Sequence, residues 1–122
     1  MNILIASKQY KHAGHILTIL SYYFDARLVD TEWELKRELQ DRNYDIVIFD
    51  YDLPQISGIR FVEELAKERL LPSMFYVCGP EAISSYDSRL LQLESGSKRV
   101  IPLETIAKAY FEIYEIFIEK SA

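Results

Sequence analysis

Short, continuous apolar runs alternate with longer stretches whose apolar positions recur every three or four residues. The alternation repeats five times along the chain, with runs at residues 3–6, 26–29, 46–49, 74–78 and 99–101. Apolar runs of this length suit strands buried on both faces, as in a parallel sheet. Between the first two, Ala13, Ile16, Leu17, Leu20 and Phe24 fall on one helical stripe. Thr31 followed by Glu34 is a capping-box pattern that opens a second helix carrying Leu35 and Leu39. Ser57 and Gly58 precede a third, with Val62, Leu65, Ala66 and Arg69 at helical spacing. A thinner stripe (Ile83, Tyr86, Leu90, Leu93) marks a fourth over 81–93.

The last helix, about 103–119, carries two stripes. Ile106, Tyr110, Ile113 and Phe117 form one, and Ala107, Phe111, Tyr114 and Ile118 form the other. One stripe packs on a sheet, and the second then needs a cover, since exposed apolar patches mark interfaces.

Strict strand–helix alternation predicts an α/β fold with right-handed crossovers and helices on both faces. Five such units fit the flavodoxin-like, doubly wound, five-stranded parallel sheet, order 2-1-3-4-5, with five helices. That layout gathers ligands where strands 1 and 3 end, at Ser7, Lys8, Asp50, Tyr51 and Asp52.

With 122 residues, the chain has room for one domain, 1–122. Its formal charge of −5, with no stripe of Lys and Arg, argues against a nucleic-acid surface and leaves a protein or small-molecule partner. Cys78 is the only cysteine, so no internal disulfide forms and a reducing compartment is expected. Two histidines and one cysteine do not complete a zinc site without carboxylates. The N-terminal apolar run is too short for a signal peptide or membrane span, so no membrane association and a cytoplasmic location are expected.

The third strand ends in Asp50, with Pro54 four residues on and Gly58 eight residues on. This resembles the signature around the phosphoacceptor aspartate of response-regulator receiver domains (CheY-like), and with the strand–helix order the resemblance spans the chain. It implies a signal-transduction module of two-component or phosphorelay type, in which a sensor kinase phosphorylates Asp50 and the carbonyl of Asp52 binds Mg²⁺. The plainer reading of Asp50 is a polar residue ending a strand.

The remaining positions depart from that family's pattern, as in an atypical, pseudo-receiver variant. Where two metal-binding acids are expected at the end of strand 1, Ser7 and Lys8 stand. Mg²⁺ favours carboxylates in near-ideal octahedral geometry, and an ammonium competes with it, so no Mg²⁺ cofactor is expected. The strand 4 hydroxyl position holds Cys78, a weak donor. Ile101 stands for the strand 5 lysine, and Lys98 for the aromatic switch residue. Pro54, Gly58 and Pro102 remain as scaffold markers. The family's corresponding Lys–Pro bond implies a cis Ile101–Pro102 bond.

In such a pocket Lys8 is expected to reach Asp50, an attraction of about 4 kcal/mol at ~4 Å and an effective dielectric of ~20, before desolvation. The alternative leaves Lys8 solvated at the rim. His12 and His15, at i and i+3, read as surface or half-buried histidines, and Trp33 as a packing residue.

The favoured function is therefore a non-enzymatic signalling module that binds a protein partner or dimerises through the face of the fourth helix, fifth strand and fifth helix. Tyr110, Phe111, Ile113, Tyr114, Phe117 and Ile118 form its candidate interface. The same helix is where receivers join output domains, so a fused or separate output domain is an alternative use. A second function keeps Asp50 as a phosphoacceptor. A third uses Asp50 and Asp52 as a haloacid-dehalogenase-type phosphatase, with nucleophile and general acid; that motif also needs a distant lysine and a late acidic cluster, but here Leu53 and Pro54 follow it and no late acidic pair closes a metal site. Nucleotide binding is disfavoured, because the loop after strand 1 holds one glycine, Gly14.

Overall fold

A computed structural model describes residues 1–8, 10–53, 58–80 and 98–118, and of Tyr10 and His12 only the backbone. Five parallel strands form one sheet in the order β2-β1-β3-β4-β5. They are β1 (Asn2–Ala6), β2 (Asp25–Val29), β3 (Ile46–Asp50), β4 (Met74–Cys78) and β5 (Arg99–Leu103). The described helices are α1 (Tyr10–Leu20), α2 (Glu32–Asp41), α3 (Gly58–Lys67) and α4 (Ile106–Ile113), the last continuing as a π-helical turn, Tyr114–Ile118. This matches the predicted flavodoxin-like fold, with four helices described. The predicted helix over 81–93 and Pro54 lie outside the described residues.

Side-chain alternation along the strands builds two cores. Leu4, Ala6, Val47, Phe49, Phe75 and Val77 face α2 and α3, which contribute Leu35, Leu39, Phe61, Val62 and Leu65. Ile3, Ile5, Ile46, Ile48, Tyr76 and Cys78 face α1 and α4, which contribute Ala13, Ile16, Leu20, Ile106, Ala109 and Ile113. Phe49 lies 5.6 Å from both Phe61 and Phe75, ring centre to ring centre.

The local signals act as physics requires. Thr31 caps α2: its side chain accepts from the Glu34 N–H at 3.1 Å. Arg69, predicted on the stripe of the third helix, lies past its end in left-handed backbone at φ 60°. There the Leu70 N–H reaches the Leu65 carbonyl and the Arg69 N–H that of Ala66, a Schellman-type closure. The fifth strand runs two residues beyond its predicted end, through Pro102. Arg99 donates its N–H to Ser73, and Leu103 accepts at its carbonyl from Gly79, so odd positions face β4 and Pro102 faces the open edge. The N–H that proline lacks is therefore one no ladder needs. The expected cis bond is absent: no described peptide bond is cis, and trans extended backbone keeps Pro102 and Leu103 paired with Val77 and Cys78.

Candidate functional site

The carboxyl ends of β1, β3 and β4 bring Ser7, Asp50 and Cys78 together. Period-two alternation explains the meeting. Ser7 extends the parity of Ile3 and Ile5, Asp50 that of Ile46 and Ile48, and Cys78 that of Tyr76. The Ser7 N–H still donates to the Val29 carbonyl, so strand geometry persists to that residue. Asp50 and Cys78 are register partners.

Ser7 and Asp50 are the buried polar residues of the core. The Ser7 hydroxyl donates to Asp50 Oδ2 at 3.1 Å, and the Asp52 N–H donates to Asp50 Oδ1 at 3.1 Å. The loop after β3 is tied back by the Leu53 N–H on the Asp50 carbonyl and the Tyr51 N–H on that of Cys78. It also explains Gly58: a Cβ there would stand 2.7 Å from the Tyr51 carbonyl oxygen and 2.8 Å from its ring. Gly58 is thus fixed by the close approach of the acid loop to the start of α3.

The expected Lys8–Asp50 ion pair does not form. Lys8 is exposed, and among the described residues no ion pair joins the two. Lys8 has the opposite parity to Ser7, and drawing its ammonium inward would cost several kcal/mol of hydration. Lys98 is half-buried and lines a cavity at the other end of the sheet, with Asn43, Tyr44 and Arg69. Ile101 is half-buried against the core under α1 and α4.

A cavity of about 260 Å³ opens beside Asp50, lined by Asp52 and Cys78 on one side and Glu104, Thr105 and Ile106 on the other. Glu104 and Thr105 were not singled out from the sequence; their position directly after β5 was the available signal. Glu104 pairs with Lys108 at 2.9 Å, and Thr105 caps α4 by accepting from the Lys108 N–H at 3.2 Å. Burial, and then the nearby carboxylates of Asp50 and Glu112, push the Cys78 thiol well up, so it stays protonated.

Mg²⁺ is the metal this fold implies here. The described donors do not fit it: both Asp50 oxygens accept hydrogen bonds, β1 supplies a hydroxyl, and no group of three or more acidic, His or Cys side chains converges. The phosphatase reading needs a lysine at the acids, and no described lysine lines this cavity.

The candidate interface divides. Ile113 and Ile118 are buried, Tyr110 and Phe117 half-buried, Phe111 and Tyr114 exposed. The π turn accounts for Ile118. Its wider i→i+5 turn shifts the residues after Tyr114 off α-helical spacing, and Ile118 is buried there. Trp33 is 64% exposed, with the Arg37 guanidinium 5.3 Å from its ring centre, so it packs against a cation and not in the core. His15 is exposed.

Sequence comparison finds no matching family model and no matching curated protein. Solved structures do match. A Francisella response-regulator receiver domain is 20% identical, covering 98% of each chain, at a TM-score of 0.68. A CheY-like receiver domain from Methylobacillus flagellatus is 24% identical, covering 95% of this chain and 98% of its own, also at 0.68. Response regulator TrrA from Thermotoga maritima, solved with Mg²⁺ and BeF, is 16% identical, covering 98% and 96%, at 0.67. TrrA is also known in complex with histidine kinase ThkA, at 13% identity, 95% and 97% coverage and 0.66. At these identities the likeness establishes the fold: the chain has the fold of response-regulator receiver domains. No described helix is long and apolar enough to cross a membrane.

Proposed function

We propose that the chain is an atypical receiver-like module that signals through protein contacts, without catalysis of its own and without Mg²⁺-dependent phosphorylation of Asp50. One observation carries the reading: the buried Asp50 carboxylate is held by the Ser7 hydroxyl, at the strand end where the receiver pattern expects metal-binding acids. A protonated thiol stands at the place of the hydroxyl on strand 4, and an aliphatic side chain at that of the strand 5 lysine. Protein partnering is in keeping with the kinase complex of TrrA. A cytoplasmic setting agrees with the lone, reduced cysteine.

A second reading keeps Asp50 as phosphoacceptor, because its carboxylate lines an open cavity. Titration with Mg²⁺ and then beryllofluoride, followed by backbone-amide NMR, separates the two. The proposed function expects no shifts at Asp50, Tyr51 and Asp52. Saturable shifts there, spreading into β5 and α4, would establish a working pocket and overturn it.

A further inference from the structure

A second cavity, of about 240 Å³, opens at the amino end of the sheet, away from Asp50. It is built from the segments that enter three strands. Asn43 and Tyr44 precede β3, Ser73 precedes β4 and Lys98 precedes β5, while Arg42 follows α2 and Arg69 follows α3. Parallel topology produces this convergence, because each crossover helix ends near the start of the next strand. The charged residues of the lining are Arg42, Arg69 and Lys98, and no described acid lines it. The cavity beside Asp50 is the reverse, with Asp50, Asp52 and Glu104 and no described base. A chain of net charge −5 thus gathers three cations around one cavity.

Those cations are poorly matched within the fold. Arg69 and the half-buried Lys98 make no ion pair among the described residues. Arg42 stands 3.9 Å from Glu38 Oε1. That oxygen already accepts from the Tyr44 hydroxyl at 2.7 Å and has Arg27 at 3.8 Å.

Arg69 carries an independent signal. Among the described residues it is the non-glycine in left-handed backbone, at φ 60°, where α3 closes. Glycine takes that place without steric penalty, and an arginine there is strained. Backbone strain retained beside a cavity points to use of the side chain. Cations at helix C-termini also complement the helix dipole, which accounts for Arg42 and Arg69 by position. It accounts neither for Lys98, at the entry to β5, nor for arginine in place of glycine.

Two guanidinium groups and an ammonium around a small space suit a compact oxyanion. Each guanidinium fork takes two oxygens at once, and lysine adds a point charge. A carboxylate offers one charge and two oxygens, whereas a phosphate carries about −1.5 to −2 and three or more acceptor oxygens. The cavity is smaller than the ~300–1,000 Å³ of pockets that enclose drug-sized ligands, so a bare or briefly substituted anion fits it best. Asn43 and Ser73 add an amide and a hydroxyl to the lining, and Leu71 and Pro72 add buried apolar surface for a short carbon substituent.

We propose that this cavity binds a small phosphate dianion, either orthophosphate or the phosphate of a short monoester, through Arg42, Arg69 and Lys98. The site is separate from Asp50 and stands whether or not Asp50 accepts a phosphoryl group.

Titration of the full chain with orthophosphate, at low ionic strength and without Mg²⁺, tests it by backbone-amide NMR. Saturable shifts are expected at Asn43, Tyr44, Ser73 and Lys98, with none at Asp50 and Asp52. R69G, which suits the left-handed backbone, and K98A should each raise the dissociation constant roughly tenfold or more, as for a lost hydrogen bond to a charged group. R69G should do so while keeping the phosphate-free unfolding midpoint. Glycerol 3-phosphate separates the two sources: tighter binding than orthophosphate assigns the monoester, and weaker binding the free ion. No saturable shifts up to about 10 mM orthophosphate or glycerol 3-phosphate would overturn the proposal. So would an affinity unmoved by both R69G and K98A, or shifts confined to Asp50 and its loop. Binding of a phosphoserine peptide with neither small anion bound would replace the small-molecule site with a protein contact.

Discussion

Under α2 and α3 the sheet's Phe49 and Phe75 pack with Phe61 of α3, all three buried. Under α1 and α4 it carries Tyr76, whose buried hydroxyl has no hydrogen-bond partner among the described residues, and the layer runs out into Tyr110, Phe111 and Tyr114. The same five strands feed both layers. The buried members of the first layer are all hydrocarbon. The second keeps a buried polar orphan, encloses the Ser7–Asp50 pair at its edge, and leaves aromatic surface open. The Ser7–Asp50 pair and the exposed Phe111 and Tyr114 thus belong to the layer under α1 and α4.

That contrast breaks most visibly in the closed layer. F75A should cost about 3–5 kcal/mol of unfolding free energy by lost burial and cavity formation. F111A, a comparable truncation on the exposed face of α4, should change stability by no more than about 0.5 kcal/mol. Urea unfolding measures both, and similar losses would erase the distinction between the layers.

A smaller effect comes from the edge of the second layer. S7A removes the hydroxyl that donates to Asp50 Oδ2 and should cost about 1.5–3 kcal/mol at neutral pH, the range for a hydrogen bond to a charged group. No loss would show that the Asp52 N–H holds the carboxylate alone.

The smallest expected change is a gain. Y76F removes the orphaned hydroxyl and should raise stability by about 1 kcal/mol. The variant also sharpens the pH dependence. Burial pushes the Tyr76 phenol and the Cys78 thiol upward, and Tyr44, desolvated and bonded to Glu38, to about 12. Below the ordinary values of 9.0 for the thiol and 10.0 for the phenols, both folded and unfolded chains keep these protons, and stability does not depend on them. Above those values the unfolded chain ionises first, so stability falls as pH rises. Y76F should make that alkaline decline shallower, and an unchanged slope would mean that the Tyr76 phenol does not contribute.

Much of the architecture was legible in the chain, because strand and helix periods are local properties. Runs such as 46–49 and 74–78 could only be doubly buried strands in an alternating pattern, and Thr31 with Glu34 marked the start of a helix within one turn. The acid at the end of the third strand was legible for the same reason. The ends of elements were less so: Arg69 fits the helical spacing yet sits beyond α3, since spacing does not register a left-handed closing residue. Charge attraction alone would draw Lys8 to Asp50, but strand parity turns Ser7 inward and leaves Lys8 exposed.

The sequence by itself determined the order of elements, the parallel sheet, and which residues reach its carboxyl edge, since each depends on the periodicity of a short segment. Only the tertiary structure decided which apolar residues of the last helix are buried. Ile118 is buried in the π-helical turn and Phe24, after α1, meets Phe117 edge-on at 6.5 Å, while Phe111 and Tyr114 stay exposed. Those outcomes depend on neighbours far apart in the chain, and no local period carries them.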